Sequence, residues 1–202
     1  MLDRSLLRIL KPLTDGAALR LHGRGITADQ LTIAGFIAGL VAAALIAAGW
    51  PSPGLAVILI SRALDGLDGA VARLAAPTDR GAFLDIALDF LFYASIPLAF
   101  AIADPVANAL AAAVLLAAFI GTGSSFLAYA VIAEKRGLKS TAYPSKGIYY
   151  LGGLTEGFET ILCFALMCLW PAWFAVLAQA FAALCAVTIV TRLCAGWLAF
   201  GR

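Results

Sequence analysis

Charge is what this chain has least of. Of its 202 residues, 14 are Lys or Arg and 12 are Asp or Glu, 13% together, against 63% hydrophobic residues. With a mean hydropathy of +0.97, that composition excludes an ordinary soluble domain and marks a membrane protein. Histidine is nearly missing as well: His22 is the only one, so a histidine-based catalytic or metal site would rest on a single residue of a basic loop. Cysteine is sparse and poorly spaced for chemistry. Cys163, Cys168, Cys185 and Cys194 sit inside apolar segments without paired ligand spacing, so they read as packing residues, and nothing indicates an oxidising compartment. A net charge of +2 gives no reason to expect nucleic acid as a partner. No cleavable signal peptide is expected either, because Arg4, Arg8 and Lys11 interrupt the residues where its apolar region would lie.

What the chain does have is long uncharged runs, at 30–61, 90–103, 105–133 and 160–191. A helix needs roughly 20 residues to cross about 30 Å of hydrocarbon, and the Trp50-Pro51 and Trp170-Pro171 breaks divide the first and last runs. The pattern predicts an all-α fold: six transmembrane helices, at about 28–49, 55–75, 81–103, 105–133, 147–169 and 172–199. Thr27 and Gln30 fit a capping box that opens the first of them. Before it, Leu2, Leu6, Leu10 and Leu13 recur at helical spacing with Arg4, Arg8 and Lys11 on another face, which predicts an amphipathic helix lying in the membrane interface. Two regions follow: 1–26, the interfacial helix and a basic connector with Arg20, His22 and Arg24, and 27–202, the six-helix catalytic bundle.

The few positive charges are placed with a bias. All 14 Lys and Arg residues fall in the N-terminal arm, the loops after the second and fourth helices, the C-terminus, or the helix ends beside them. The three opposite turns have none. By the positive-inside rule both termini face the cytoplasm, in the inner membrane if the cell is bacterial.

Four carboxylates stand out against this background. Asp65 and Asp68 are three apart near the end of the second helix, and Asp85 and Asp89 are four apart near the start of the third, so each pair shares a helix face. The hairpin between them can bring all four together on the cytoplasmic side. Unpaired carboxylates in a low-dielectric setting repel one another, and a divalent ion removes that cost. With no His or Cys nearby the donors select a hard cation such as Mg²⁺, Mn²⁺ or Ca²⁺, and sites of this kind hold diphosphates. Gly66, Gly69 and Gly81 leave room for a bulky ligand at the backbone. The plainer reading is that the acids pair with Arg62, Arg73 and Arg80 at a helix end.

Asp65-x-x-Asp68-Gly69-x-x-Ala72-Arg73, seven residues, then Gly81-x-x-x-Asp85-x-x-x-Asp89 resembles the signature of the CDP-alcohol phosphotransferase family of membrane enzymes of phospholipid synthesis, with all eight fixed positions present. The resemblance extends to the six helices and the interfacial arm. It implies transfer of a substituted phosphate, phosphatidyl from CDP-diacylglycerol, to an acceptor alcohol with release of CMP. By that resemblance Asp65, Asp68, Asp85 and Asp89 hold Mg²⁺ or Mn²⁺, two ions, and Asp89 is also the base that deprotonates the acceptor. Gly69 and Gly81 line the cytidine diphosphate pocket, Thr32 and Arg73 assist there, and a homodimer is implied. Many members open the first helix with Pro-Asn and a Thr three residues after the Asn; here Ala28 and Asp29 precede Thr32.

A second polar stretch, Lys146 to Thr160, carries Glu156 and Glu159. It is a candidate acceptor site, although carboxylates at a helix start are also favoured by the helix dipole. Members acting on inositol phosphate bear several arginines there, unlike this chain. Gly121 to Ser125 reads as helix packing rather than a phosphate loop. A divalent-cation transporter using the same aspartates is the competing function, and it lacks the expected internal repeat and broken helices.

Overall fold

The computed structural model describes residues 14–137 and 154–201. The helix expected over 1–13 lies outside them, as do Lys139, Lys146 and the expected start of the fifth spanning helix at 147–153. Among the described residues the structure is helices and turns.

Residues 14–23 are helical (α1), where the sequence suggested a connector loop. The reason is packing. Ala18 is fully buried with Leu31, Ala70 and Val71, so this segment is held against α2 and α3, while His22 is exposed. α2 spans Ala28–Ala47 and starts at the expected capping box: Gln30 N donates to Thr27 Oγ1 at 3.3 Å, and Thr27 N donates to Gln30 Oε1 at 3.0 Å. α3 spans Pro51–Ala75, four residues earlier than the sequence suggested. Pro51 sits in the first turn, where its missing N–H breaks no helical bond, so the turn shrinks to residues 48–50. α4 (Asp79–Ala103) and α5 (Pro105–Lys135) follow, α5 again with a proline in its first turn and Asp104 accepting from Ala107 N at 3.1 Å.

The largest departure is at α6, Gly157–Leu169, which begins ten residues later than expected. Glu159 Oε2 accepts from Glu156 N at 3.2 Å, closing the helix there. Just before it, Leu154 N and Thr155 N both donate to Thr188 Oγ1 at 3.2 Å, which ties the entering chain to the last helix. Pro171–Trp173 is a 3₁₀ turn, and α7 spans Phe174–Phe200.

Among the described residues four stretches are long and apolar enough to cross a membrane: α2, α4, α5 and the turn-plus-helix Pro171–Phe200. The other two miss for different reasons. α3 is 25 residues long but contains Arg62, Asp65, Asp68 and Arg73. α6 has 13 residues, and at 1.5 Å per residue it is about 20 Å long. Many large apolar side chains face outward on these helices, with Val106 and Trp197 almost wholly exposed, as lipid contact requires.

α2, α3 and α4 pack together, α5 pairs with α7, and contacts between α4 and α5 and between α3 and α6 join the two groups. The core includes Ile46, Ile58, Phe92, Ile96, Phe100, Phe164 and Phe174, with Phe100 stacked on Phe174 at 4.6 Å. Gly39 allows α2 to approach α4, since a Cβ there would lie 2.5 Å from Phe92 Cδ2. Gly123 similarly receives Phe90, in keeping with a packing role for that glycine and serine run.

Candidate active site

The link between α3 and α4 is three residues long. Ala76 takes a positive φ of 71°, uncommon for a residue with a Cβ. Thr78 Oγ1 then accepts from Gly81 N at 3.1 Å and starts α4. So short a link sets the end of α3 against the beginning of α4 and turns their acidic faces together.

Asp65, Asp68 and Asp85 each bring a carboxylate oxygen within 4.8 Å of the others. Asp68 is buried, Asp65 half-buried and Asp85 exposed, so the group is open on one side. Three converging oxygen donors without nitrogen or sulfur match a hard divalent cation, the requirement of Mg²⁺ or Mn²⁺. Asp68 is held from behind by Thr32 of α2, whose hydroxyl donates to Oδ2 at 2.5 Å. Thr32, expected to assist at the nucleotide, thus touches the Asp68 carboxylate directly.

Asp89, the fourth expected ligand, lies next to this group and turns to a different partner. Its Oδ1 accepts from Arg62 Nη1 at 2.7 Å, and the same nitrogen is 3.4 Å from Asp65 Oδ1. Arg73, expected to assist, is exposed and lines a cavity of about 330 Å³ with Asp15, Ala18 and Leu19 between α1 and α3. Among the described residues it is Arg62, not Arg73, that pairs with the acids. Its signal was present in the sequence as a lone cation one turn before Asp65 in an otherwise apolar stretch.

The glycines divide. A Cβ on Gly66 would meet nothing within 4 Å, and one on Gly69 only Arg73 Nη1 at 3.5 Å, so both face open space that a ligand can use. Gly81 is enclosed: its Cβ would be 3.2 Å from Asp29 Oδ1 and from Thr78 Oγ1. Asp29 accepts from Arg80 Nε at 2.8 Å and lies 2.6 Å from Arg80 Nη2. Its charge is therefore balanced within the protein.

A second cavity, about 450 Å³, opens among α4, α5, the start of α6 and α7, and is walled in part by Phe90, Tyr93, Phe126, Thr155, Glu156 and Arg192. Arg192 is buried, donates from Nη1 to the Thr122 carbonyl at 3.0 Å and lies 5.5 Å from the centre of the Phe126 ring. Tyr93 is one turn after Asp89 on the same face, so this cavity adjoins the carboxylates. Glu156 was singled out in the sequence; Arg192 was not. Glu159 serves as the cap of α6.

A family model described as CDP-alcohol phosphatidyltransferase matches residues 25–191. The inner membrane protein YnjF of Escherichia coli K12 is 54% identical over 198 residues, 98% of this chain and 96% of that protein. The archaetidylinositol phosphate synthase of Methanothermobacter thermautotrophicus is 40% identical over 85 residues, 42% of this chain and 40% of that one. Among solved structures, Mycobacterium tuberculosis phosphatidylinositol phosphate synthase PgsA1 with CDP-DAG bound superposes with a TM-score of 0.73 at 24% identity, over 92% of this chain and 94% of its own. The same synthase in complex with manganese and citrate gives 0.72 at 24% identity, over 91% and 88%. With the PgsA1 structures the likeness is one of fold.

Proposed function

Because the chain belongs to the CDP-alcohol phosphatidyltransferase family, we propose that it transfers a phosphatidyl group from CDP-diacylglycerol to the hydroxyl of an acceptor alcohol and releases CMP. The observation that carries this is the convergence of Asp65, Asp68 and Asp85 within 4.8 Å beside the open faces of Gly66 and Gly69. PgsA1 has been crystallised with CDP-DAG and, separately, with manganese, which supports both a lipid donor and a divalent ion here.

Asp65, Asp68 and Asp85 would hold Mg²⁺ or Mn²⁺, and the ion when bound supplies positive charge to the diphosphate and to the departing CMP. Thr32 fixes the Asp68 carboxylate, so the ligand set is oriented before substrate arrives. Gly69, with Gly66, leaves the backbone of α3 open for the cytidine diphosphate. Asp89 takes the proton of the acceptor hydroxyl: its ion pair engages Oδ1, and Oδ2 of the same carboxylate serves the acceptor. The acceptor reaches it from the cavity that Tyr93 shares with Glu156 and Arg192.

In this reading the protein crosses the membrane six times, with α3 and α6 added to the four long apolar stretches. Residues 27–202 form the catalytic bundle and residues 1–26 its interfacial arm and connector. The bias of all 14 Lys and Arg residues to one side supports a cytoplasmic active site, and the relative named as an inner membrane protein supports that membrane as its location.

Purified protein in detergent, given Mn²⁺ or Mg²⁺, CDP-diacylglycerol and a panel of alcohols, should release CMP and yield a lipid whose mass names the acceptor. Absence of metal-dependent CMP release with every alcohol, from protein shown to be folded, would contradict the proposal.

A further inference from the structure

The cavity of about 450 Å³ has two charged residues buried in its wall: Glu156 is 9% exposed and Arg192 8%. They come from different elements and are brought to the same place by one hydroxyl. Thr188 Oγ1 accepts from Leu154 N and Thr155 N, which pins the chain beside Glu156 against α7, and Arg192 is one turn beyond Thr188 on the same face. Glu156 is also the N-cap of α6, where its N–H donates to Glu159 Oε2 at 3.2 Å. Both charges are thus built into the walls. Ionisable groups inside a membrane bundle are costly, and they mark paths for substrates or ions.

The hydroxyls of the same wall are engaged within the protein. Thr122 Oγ1 donates to the Phe119 carbonyl at 3.0 Å, Thr160 Oγ1 donates to the Glu156 carbonyl at 2.9 Å, and Thr155 Oγ1 shares a hydrogen bond with Thr188 Oγ1 at 3.0 Å. That leaves little to read a polyol with. Phe90, Tyr93, Phe119 and Phe126 also line the cavity, and aromatic rings of this kind attract an ammonium. Among the described residues the wall holds one carboxylate and one guanidinium, so its formal charge is zero. A phosphorylated alcohol would leave negative charge buried without compensation. An apolar alcohol would use neither charged group.

We propose that the acceptor is a zwitterionic alcohol, with an ammonium and a carboxylate beside its hydroxyl. Glu156 binds the ammonium and Arg192 the carboxylate, which directs the hydroxyl to the Asp89 end of the cavity, past Tyr93. This rests on the reading above that the acceptor reaches Asp89 through this cavity. The reaction is unchanged: the hydroxyl oxygen bonds to the phosphorus that carries the diacylglycerol, the bond from that phosphorus to CMP breaks, CMP leaves with the electron pair, and Asp89 takes the proton. Glu156 and Arg192 touch the acceptor away from the reacting atoms and set which alcohol is accepted.

The test uses full-length protein in detergent with Mn²⁺ and CDP-diacylglycerol, and compares acceptors that differ by one charge. Serine carries both charges, ethanolamine lacks the carboxylate, hydroxypropionate lacks the ammonium, glycerol carries neither, and glycerol phosphate adds a phosphate. The kcat/KM for serine, from CMP release and the mass of the lipid formed, should exceed each of the others at least tenfold. A hydrogen-bonded charge of this kind is worth on the order of 10–100-fold in binding, so Glu156→Gln should raise the KM for serine by that factor while the KM for CDP-diacylglycerol holds. Arg192→Gln should erase the advantage of serine over ethanolamine. Metal-dependent CMP release that favours glycerol, glycerol phosphate or a singly charged acceptor overturns the proposal and leaves phosphatidyl transfer standing. An unchanged serine KM in folded Glu156→Gln overturns it as well. No CMP release with any alcohol overturns both readings. If a variant does not fold, the ranking of the five acceptors by the wild-type protein decides.

Discussion

The two polar regions of this bundle are built in opposite ways. At the α3–α4 hairpin, three carboxylates from residues 65–85 converge through a three-residue link, and each owes its place to helical spacing or to the next helix in the chain. At the α5–α7 side, Arg192 reaches Thr122 across 70 residues and Thr155 reaches Thr188 across 33, and the groups meet only because separate helices pack. The first region concentrates like charges that need an external cation. The second meets its polar groups chiefly with hydroxyls and carbonyls of neighbouring helices. Function that depends on an added ion belongs to the first, and the structural fixing of α6 belongs to the second.

The contrast is most exposed to failure at Asp85. Asp85→Asn keeps the size of the side chain and removes one of three converging charges, and the site is open at that position. CMP release should fall on the order of 10³-fold, since metal stabilisation is worth several kcal/mol and about 1.36 kcal/mol is tenfold in rate. Thermal unfolding in the absence of metal should hold or rise, because a repulsive charge is gone. If activity survives, the hairpin is not the metal centre and the distinction between the regions collapses.

Thr32→Val comes next. It removes the hydroxyl that orients Asp68 and leaves the carboxylate in place. Partners of metal ligands are typically worth about 10–100-fold in metal affinity, so Mn²⁺ binding measured by calorimetry should weaken by that factor, and Thr32→Ser should restore it. Equal binding in the valine variant would make Thr32 a nucleotide contact only.

How far each region was legible follows from how it is built. The four aspartates and their glycines lie within one contiguous motif, and helical periodicity alone puts them on facing surfaces. The all-helical class and the four long apolar spans were equally plain, because hydropathy accumulates over 20 residues or more. Arg62 was visible as a charge, but its pairing with Asp89 depends on the register between α3 and α4, which no local pattern fixes. The same holds for Arg192. The helical state of 14–23 was hidden because its glycines and basic residues suggest a loop, while the burial of Ala18 that overrides them is tertiary. The late start of α6 was hidden for a related reason: its stop is a hydroxyl on α7.

That hydroxyl gives a prediction for the second region. Thr188→Val deprives Leu154 N and Thr155 N of their acceptor in a part-buried to buried setting. The cost of leaving such groups unmet is about 1–3 kcal/mol, which should appear as a lower thermal midpoint in detergent. Mn²⁺ affinity should not change. A variant that loses metal binding and stability together would show that the two regions are coupled.

The smallest effect is expected at the boundary of the metal site, where Asp29 pairs with Arg80. Asp29→Asn keeps an oxygen that Arg80 can donate to and removes only the charge. Arg80 is 80% exposed, and ion pairs in such settings contribute about 0–1 kcal/mol. The carboxylate also sits in the first turn of α2, where the helix dipole favours it by about 0.3–1 kcal/mol. These two small terms act in the same direction, so the variant should lose at most about 2 kcal/mol of stability. Asp29 does not belong to the converging group, so Mn²⁺ affinity should stay at the wild-type value by the same calorimetric titration. Because the change leaves the converging carboxylates untouched, CMP release should persist. A marked loss of metal binding in Asp29→Asn would extend the metal centre to α2 and Arg80, and the hairpin would no longer be sufficient to define it.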